Sequence, residues 1–239
     1  MTLIVPAVLP SSQKDFEEKL TLFSSLPHIS RVQIDIVDGK LAAPASFPYS
    51  AEATKGTPYP ELIEMVRKGE MLPNLEHIAY EIDLMCFDAL EVASAWLAIG
   101  ASRLIFHTES SADMPHLLKR ARREFGGLVT FGLALNIESS FALAGSCLSD
   151  VDYVQFMGIA KIGQQGQPFD ERVLERIRTF HRMYPALPLQ VDGGVSLENA
   201  KKLLALGVST LVVGSAIVRS KHPAAEVKKF EMLRSPFGV

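Results

Sequence analysis

Polar residues close three of the apolar runs in this chain. In the first run Gln33 and Asp35 stand two residues apart. Glu81 and Asp83 repeat this spacing in the second run, and Asp192 closes the third. Residues two apart in a strand point to the same side, and polar groups directed inward from an apolar strand are costly unless they are paired or used. These carboxylates are therefore candidates for proton transfer or metal binding, with a solvated strand end as the alternative interpretation of each.

Glycine pairs and a glycine–serine pair follow two of the later runs. Gly193 and Gly194 come directly after Asp192, where a backbone without side chains lets a ligand approach closely. Gly214 and Ser215 follow the last run, where they can present N–H groups and a hydroxyl to a phosphate. A strand-to-helix turn rich in glycine is the alternative interpretation of the first pair.

Two further segments are candidates for substrate contact. Residues 158–166 are rich in glycine and glutamine and include Gly163 and Gly166, which we expect to cover the same phosphate. His107 closes the fourth apolar run, where it can touch substrate or serve as a satisfied core histidine. The residue types do not separate these two roles of His107.

Eight apolar runs alternate with segments of helical periodicity. Most of the runs are unbroken stretches, as in strands that are covered on both faces. Alternating strands and helices imply a parallel sheet. The count of eight predicts a single-domain α/β fold, a (β/α)8 TIM barrel over residues 1–239, with an open doubly wound sheet as the competitor. The predicted strands are Leu3–Leu9, Arg31–Val37, Ile78–Met85, Arg103–His107, Val129–Leu135, Tyr153–Met157, Leu187–Asp192 and Thr210–Gly214.

The connecting segments add to this prediction. Ser12 is expected to cap a helix, and Ser196 to cap another that ends before Gly207. The longest irregular segment is Gly39–Pro60, and a loop of that length in a compact domain is often functional. In a TIM barrel the catalytic groups come from the C-terminal ends of the strands, and phosphate is often bound after strands seven and eight. The acidic residues and the glycines stand at those positions, so the sequence predicts a phosphate-binding site there.

The composition is that of an ordinary globular protein. Of 239 residues, 48% are hydrophobic and 21% charged, and the net charge is -3. This balance does not favour nucleic acid or an anionic membrane as a partner. No apolar run approaches the roughly 20 residues of a membrane span, and residues 1–9 lack a basic leader, so a strand is expected there and not a signal peptide. With two cysteines far apart, a reducing, cytoplasmic location is expected.

The order of these motifs resembles the ribulose-phosphate 3-epimerase family over nearly the whole chain. Each motif alone is weak, but the set in this order is fairly specific. The matching segments are Pro6–Leu9, Asp35–Gly39, Asp83–Met85, Gly132–Asn136, Met157 with Gly163–Phe169, Val191–Val195 and Gly214–Ala216.

The resemblance implies an isomerase that interconverts ribulose 5-phosphate and xylulose 5-phosphate. By that resemblance Asp35 and Asp192 become the acid–base pair, which moves a proton on opposite faces of an enediolate. A carboxylate can take a proton next to a carbonyl if the charge of the enolate is neutralised. We expect Met157 and His107 to contact the sugar phosphate. A homo-oligomer is implied by the resemblance alone.

The two histidines that hold a divalent metal in the family are replaced here by Gln33 and Asp83. Oxygen donors suit magnesium or manganese better than zinc, which favours histidine. One hypothesis is a hard cation, whose ligands would be Asp35, Asp83, Asp192 and Gln33. The other is that no metal binds and that a lysine such as Lys161 or Lys40 balances the carboxylates. Three converging carboxylates without a cation would repel one another, which favours the cation.

Two further functions stay open. The changed ligands are compatible with a lyase or epimerase acting on a different phosphosugar, although the Asp-x-Lys-x-x-Asp strand of related decarboxylases and hexulose-phosphate synthases is not found in the sequence. A barrel that binds a sugar phosphate without catalysis is the third hypothesis. The loss of both histidines supports it, and the retention of Asp35 and Asp192 opposes it.

Overall fold

Parallel strands follow one another around a closed barrel. The computed structural model describes residues 2–49 and 58–233. The strands in this part of the chain are β1 (Leu3–Val8), β2 (Arg31–Val37), β3 (Ala79–Met85), β4 (Arg103–His107), β5 (Thr130–Leu135), β6 (Tyr153–Met157), β7 (Leu189–Asp192) and β8 (Thr210–Val213). They pair in sequence order, and β1 pairs with both β2 and β8. The predicted (β/α)8 TIM barrel is therefore confirmed, and the open sheet is wrong.

Helices connect the strands. They are α1 (Gln13–Ser24), α2 (Pro60–Lys68), α3 (Ala89–Ala98), α4 (Met114–Phe125), α5 (Phe141–Gly145), α6 (Arg172–Met183), α7 (Leu197–Leu204), α8 (Ser215–Val218) and α9 (Pro223–Glu231). None of the helices in the described ranges has both the length and the apolar character that crossing a bilayer requires.

The predicted strand limits agree with the structure to within two residues. The strands that coincide with their predicted limits are Arg31–Val37, Arg103–His107 and Tyr153–Met157. The others are shorter by one or two residues. The largest difference is in β7, which begins at Leu189 and not at Leu187, because Pro188 has no N–H to donate to a neighbouring strand.

The predicted helix caps are present in the structure. Ser12 Oγ accepts a hydrogen bond from Asp15 N at 3.2 Å at the start of α1. Ser196 and Asn199 form a reciprocal capping box at the start of α7, and a cap of this kind contributes about 1 kcal/mol. The face of α1 that packs on the barrel consists of Phe16, Leu20 and Phe23, all buried.

The predicted loop Gly39–Pro60 is described in part, since residues 50–57 lie outside the described ranges. Its described part is tied to the end of β2. Ser46 N donates to Val37 O at 2.9 Å, and Val37 N donates to Ser46 Oγ at 2.9 Å. This part of the loop therefore lies against the C-terminal rim of the barrel.

The interior of the barrel is only partly apolar. Two apolar clusters occupy it, one of Ile105, Ala134, Tyr153 and Met157 and one of Val5, Ala7 and Val212. Strands β2, β3, β6 and β7 contribute buried polar side chains instead. The register between β2 and β3 places Gln33 beside Glu81 and Asp35 beside Asp83, so polar groups of the two strands meet at the same levels.

Candidate active site

Carboxylates from three strands meet at the C-terminal end of the barrel. Oxygen atoms of Asp35, Asp83 and Asp192 lie within 4.8 Å of one another, and all three residues are buried. Two oxygens at that separation are both within about 2.4 Å of an ion placed between them, which is a bonding distance for a hard cation. The donor set and its spacing therefore fit a divalent cation bound by oxygen. We call these three residues the acidic cluster.

A single amide group bridges two members of the acidic cluster. Gln33 Nε2 donates to Asp35 Oδ1 at 2.9 Å and to Asp192 Oδ2 at 2.8 Å. The Gln33 oxygen faces away and accepts from Gln190 Nε2 at 3.2 Å. In this arrangement Gln33 is a donor to the carboxylates. Its role as a metal ligand stays a prediction, and it would require the amide to turn over.

Asp83 is held by two side chains of the barrel interior. His107 Nε2 lies 2.7 Å from Asp83 Oδ1, and Gln155 Nε2 donates to Asp83 Oδ2 at 3.0 Å. His107 is buried and is not part of the cavity wall described below. The structure thus places His107 against a carboxylate, and its contact with substrate stays a prediction.

Burial and mutual repulsion change the protonation of the acidic cluster. The pKa of Asp35 is raised well above its ordinary value, chiefly by burial and then by the charges of Asp192 and Asp83. The pKa of Asp192 is raised to about 7, again by burial first and then by Asp83. Burial lowers the pKa of His107, but the adjacent Asp83 carboxylate outweighs it and the net shift is upward. Near neutral pH the cluster can therefore hold a protonated and an ionised carboxyl group side by side.

The acidic cluster opens into a cavity of about 50 Å³. Typical ligand pockets hold about 300 Å³ or more. A sugar phosphate therefore enters only if the covering segment, residues 163–167 of the cavity wall, shifts. Asp35 and Asp192 line this cavity. The other predicted site residues on its wall are Met157, Gly163, Gly166, Gly193, Gly194, Gly214 and Ser215.

Two glycines on the cavity wall are required by the backbone. Gly193 and Gly194 have φ of +101° and +66°, a conformation that side chains disfavour. A Cβ atom on Gly194 would lie 2.7 Å from the backbone of Phe169. The strand-to-helix turn therefore presents bare backbone to the cavity, as the approach of an anion requires.

A model of the Ribulose-phosphate 3 epimerase family matches residues 61–218. The chain belongs to this family. Among its relatives, a ribulose-phosphate 3-epimerase of Aquifex aeolicus is 27% identical over 178 residues, which cover 72% of this chain and 75% of that protein. A ribulose-phosphate 3-epimerase of Helicobacter pylori (strain J99) is 24% identical, with 98% of each chain covered. Membership of this family supports an isomerase of the pentose-phosphate epimerase type.

The fold is shared more widely than the family. The crystal structure of KGPDC from Streptococcus mutans has a TM-score of 0.64 and 16% identity, covering 97% of this chain and 96% of that one. At this level of identity the likeness shows the barrel fold alone. It does not transfer that protein's activity to this epimerase-family chain.

The structure also places the lysines of the metal-free hypothesis. Lys40 and Lys161 are absent from the cavity wall. Among the ion pairs of residues 2–49 and 58–233, none joins either lysine to the acidic cluster. In this arrangement neither lysine balances the carboxylates, and the remaining sources of compensation are a proton, a bound cation and the His107 imidazole beside Asp83.

Two glutamines of the site were missed by sequence reasoning. Gln155 and Gln190 are buried, and Gln190 Nε2 donates to Gln155 Oε1 at 2.7 Å. Each stands two residues before a predicted site residue, Met157 or Asp192, and so points to the same side of its strand. This two-residue spacing within an otherwise apolar strand could have identified both glutamines as site residues.

Proposed function

We propose that this chain epimerises a pentose phosphate, interconverting ribulose 5-phosphate and xylulose 5-phosphate, with Asp35 and Asp192 as the acid–base pair. One observation carries the proposal. The two carboxylates, from β2 and β7, share the amide group of Gln33 and both line a cavity whose wall is built of glycine segments. Family membership supports the reaction class.

The raised pKa values supply the protonation states that the reaction needs. The ionised member of the pair takes the proton from the carbon next to the carbonyl, and the C–H electrons form the enediolate. The protonated member then donates its proton to the opposite face of that carbon, which forms the new C–H bond. Efficient proton transfer needs groups with pKa values near the working pH, and burial raises the pKa of Asp192 to about 7.

A divalent cation bound to Asp35, Asp83 and Asp192 would neutralise the negative charge that develops on the enediolate oxygens. Magnesium or manganese fits these oxygen donors better than zinc. The protein's own part is to hold the carboxylates in place, through Gln33 on one side and through Gln155 on Asp83. The identity of the metal remains part of the proposal.

The phosphate group is proposed to bind at the glycine wall of the cavity. Gly193 and Gly194 present backbone on one side, and Gly214 with Ser215 on the other. Gln165 of the covering segment donates to Ala7 O at 3.3 Å. Backbone N–H groups can bind phosphate by themselves, and the guanidinium of Arg219 also lies beside Gly166 of this wall.

The direct test is turnover of ribulose 5-phosphate by the purified protein with Mg²⁺, Mn²⁺, Zn²⁺ or EDTA. We expect xylulose 5-phosphate, and in D₂O we expect deuterium on the carbon that changes configuration. Asp35→Asn and Asp192→Asn should each lower the formation of xylulose 5-phosphate about 10²- to 10⁴-fold, whereas the exposed Glu198→Gln on α7 should retain it. Absence of product and of deuterium with every metal would remove the proposal.

Gln33 favours one second candidate, a barrel that binds a sugar phosphate without catalysis. Its N–H groups already occupy the Asp35 and Asp192 oxygens that face each other. Saturable binding of ribulose 5-phosphate, without deuterium exchange under any metal, would favour this candidate. Deuterium exchange with a different phosphosugar only would favour the related epimerase. A homo-oligomer and a cytoplasmic location stay predictions.

A further inference from the structure

A second polar cavity lies at the opposite, N-terminal end of the barrel. Its volume is about 250 Å³. Its wall comes from the first residues of several strands, and among them are Arg31, Arg103, Thr130, Tyr153, Ser209 and Thr210. We call it the basal cavity. It shares no residue with the cavity at the acidic cluster.

The basal cavity contains more positive than negative charge. Arg103 Nε donates to Glu81 Oε2 at 2.7 Å, and Arg31 Nη1 lies 3.7 Å from the same oxygen. Tyr153 donates its hydroxyl to that oxygen as well, at 2.7 Å. Asp152, also on the wall, is paired with Arg122 at 2.7 Å. One carboxylate is thus left for two guanidinium groups.

Arg31 is the guanidinium without a good partner. Within the described ranges it makes no hydrogen bond, and its only ion pair there is the 3.7 Å contact with Glu81. Its side chain is only 18% exposed and that of Arg103 15%. Burial, together with the charge of Arg103, lowers the pKa of Arg31 in spite of Glu81. Its nitrogens are not among the fully buried unpartnered atoms of the described residues, so they are open to the cavity, where water or the oxygens of an anion can accept hydrogen bonds from them.

We infer that the basal cavity binds a small oxyanion of the phosphate class, held by Arg31 and Arg103. A guanidinium offers parallel N–H groups that match two oxygens of such an anion. The hydroxyls of Thr130 and Thr210 on the same wall add donors for a third oxygen. The basal cavity shares no residue with the proposed substrate site, so the inference does not depend on the proposed function.

The volume sets the size of the ligand. About 250 Å³ accommodates inorganic phosphate or the phosphate group of a small ester. The shared chemistry is a tetrahedral oxyanion with two or more free oxygens. Inorganic phosphate and glycerol 3-phosphate are therefore the two probes, and they separate the free anion from an ester.

The test compares calorimetric titrations of wild type, Arg31→Met and Arg120→Met with both probes. Arg120 is an exposed arginine of α4 next to Glu124, so its variant has the same charge change away from the cavity. We expect Arg31→Met to lose one binding event, with affinity at that site falling about ten- to a hundredfold. Arg120→Met should match wild type. Equal binding by all three proteins would overturn the inference.

A second measurement needs no variant that must fold. In ¹⁵N-labelled wild type, the Nε–H resonance of Arg31 should shift and saturate as inorganic phosphate is added. The Nε–H resonance of Arg120 should move only with ionic strength. A saturable shift with either probe supports the site, and the probe that saturates at lower concentration names the source of the anion. An unmoved Arg31 resonance with both probes overturns it.

Discussion

The two ends of the barrel interior treat buried charge in opposite ways. At the N-terminal end Glu81 is one carboxylate with four partners, namely Arg103, Arg31, Tyr153 and Gln190. At the C-terminal end Asp35 and Asp192 share the amide of Gln33 and face a third carboxylate, Asp83. A buried charge without compensation costs several kcal/mol. At the N-terminal, lower end the carboxylate therefore has cationic partners. At the C-terminal, upper end Asp35 and Asp192 share only a neutral amide, so a proton or a bound cation must offset their charge.

The middle of the barrel connects these ends through neutral amides. Gln190 Nε2 lies 2.7 Å from Glu81 Oε1 and 2.7 and 3.2 Å from the side-chain oxygens of Gln155 and Gln33, so its two N–H groups are shared among three acceptors. Gln155 and Gln33 must then turn their N–H groups towards the acidic cluster. Through Gln190, the Glu81 carboxylate at the N-terminal end thus orients the Gln155 and Gln33 amides, whose N–H groups point to the acidic cluster at the C-terminal end.

The largest difference between the ends should be in catalysis. Asp192→Asn removes one of the two groups that exchange a proton with substrate, so we expect kcat for ribulose 5-phosphate to fall about 10²- to 10⁴-fold. Steady-state kinetics with the preferred metal measures this. Glu198→Gln, an exposed change six residues along the chain, should stay within about twofold of wild type, since surface substitutions have small effects. If Asp192→Asn kept the wild-type kcat, the reaction would not take place at the C-terminal end of the barrel.

The ends should separate again in stability. Glu81→Gln leaves Arg103 and Arg31 without a counter-charge, and removing one partner of a buried ion pair costs about 3–5 kcal/mol. Asp35→Asn instead removes a repelled charge, and its side-chain oxygen still accepts from Gln33. We expect the metal-free Asp35→Asn protein at pH 8 to be as stable as wild type or more stable. Urea unfolding of both variants checks this, and equal destabilisation would contradict the comparison.

The free energy of unfolding of the metal-free protein should depend on pH through the acidic cluster at the C-terminal end of the barrel. The pKa of Asp192 is about 7 in the folded protein and about 3.9 in an unfolded chain. The folded state therefore holds more protons between these values, and the free energy of unfolding falls as pH rises, by up to about 1.4 kcal/mol per pH unit. Below about pH 4 this dependence ends. Unfolding curves from pH 4 to 8 measure it.

Two comparisons sharpen that pH prediction. Asp192→Asn should reduce the slope, because one of the two groups with a raised pKa is gone and Asp35 loses a charge that helps to raise its own pKa. Saturating Mg²⁺ should oppose the slope, since a metal binds the ionised carboxylates and its affinity rises with pH. A slope that survives both changes would assign the titration to another part of the molecule.

The sequence was sufficient for the barrel and for the residues on the cavity wall. Unbroken apolar runs placed β2, β4 and β6 to the residue. Asp35, Asp192 and the glycines lie on one cavity wall, because parallel strands bring their C-terminal ends to one rim whatever their separation in sequence; their roles stay predictions. Position along a strand was therefore enough to place them.

The hydrogen-bond directions could not be predicted in this way. Gln33 has an oxygen and a nitrogen of similar reach, and which of them faces the acidic cluster depends on partners distant in sequence, Asp192 and Gln190. The contact of His107 with Asp83 depends on the register of β3 against β4, which the sequence does not give. The basal cavity depends on Arg31 and Arg103 converging from different strands, for which neither carries a local signal.

The smallest effect should come from the histidine behind the acidic cluster. His107 touches Asp83 and does not line the cavity, so it positions a proposed metal ligand. Loss of such an outer partner weakens metal binding about 10- to 100-fold. We expect this loss of Mn²⁺ affinity in His107→Ala, with His107→Gln retaining more because its amide can still donate to the carboxylate.

Calorimetric titration of Mn²⁺ reads this effect without relying on activity. His116→Ala, an exposed histidine change on α4, is the matched control and should bind Mn²⁺ as wild type does. If His107→Ala and wild type bound Mn²⁺ equally, Asp83 would not need its partner. Asp83 and Glu81 are each held by a dedicated side chain, His107 at the C-terminal end and Arg103 at the N-terminal end. Equal binding would mean that this shared feature has no effect on the proposed metal site.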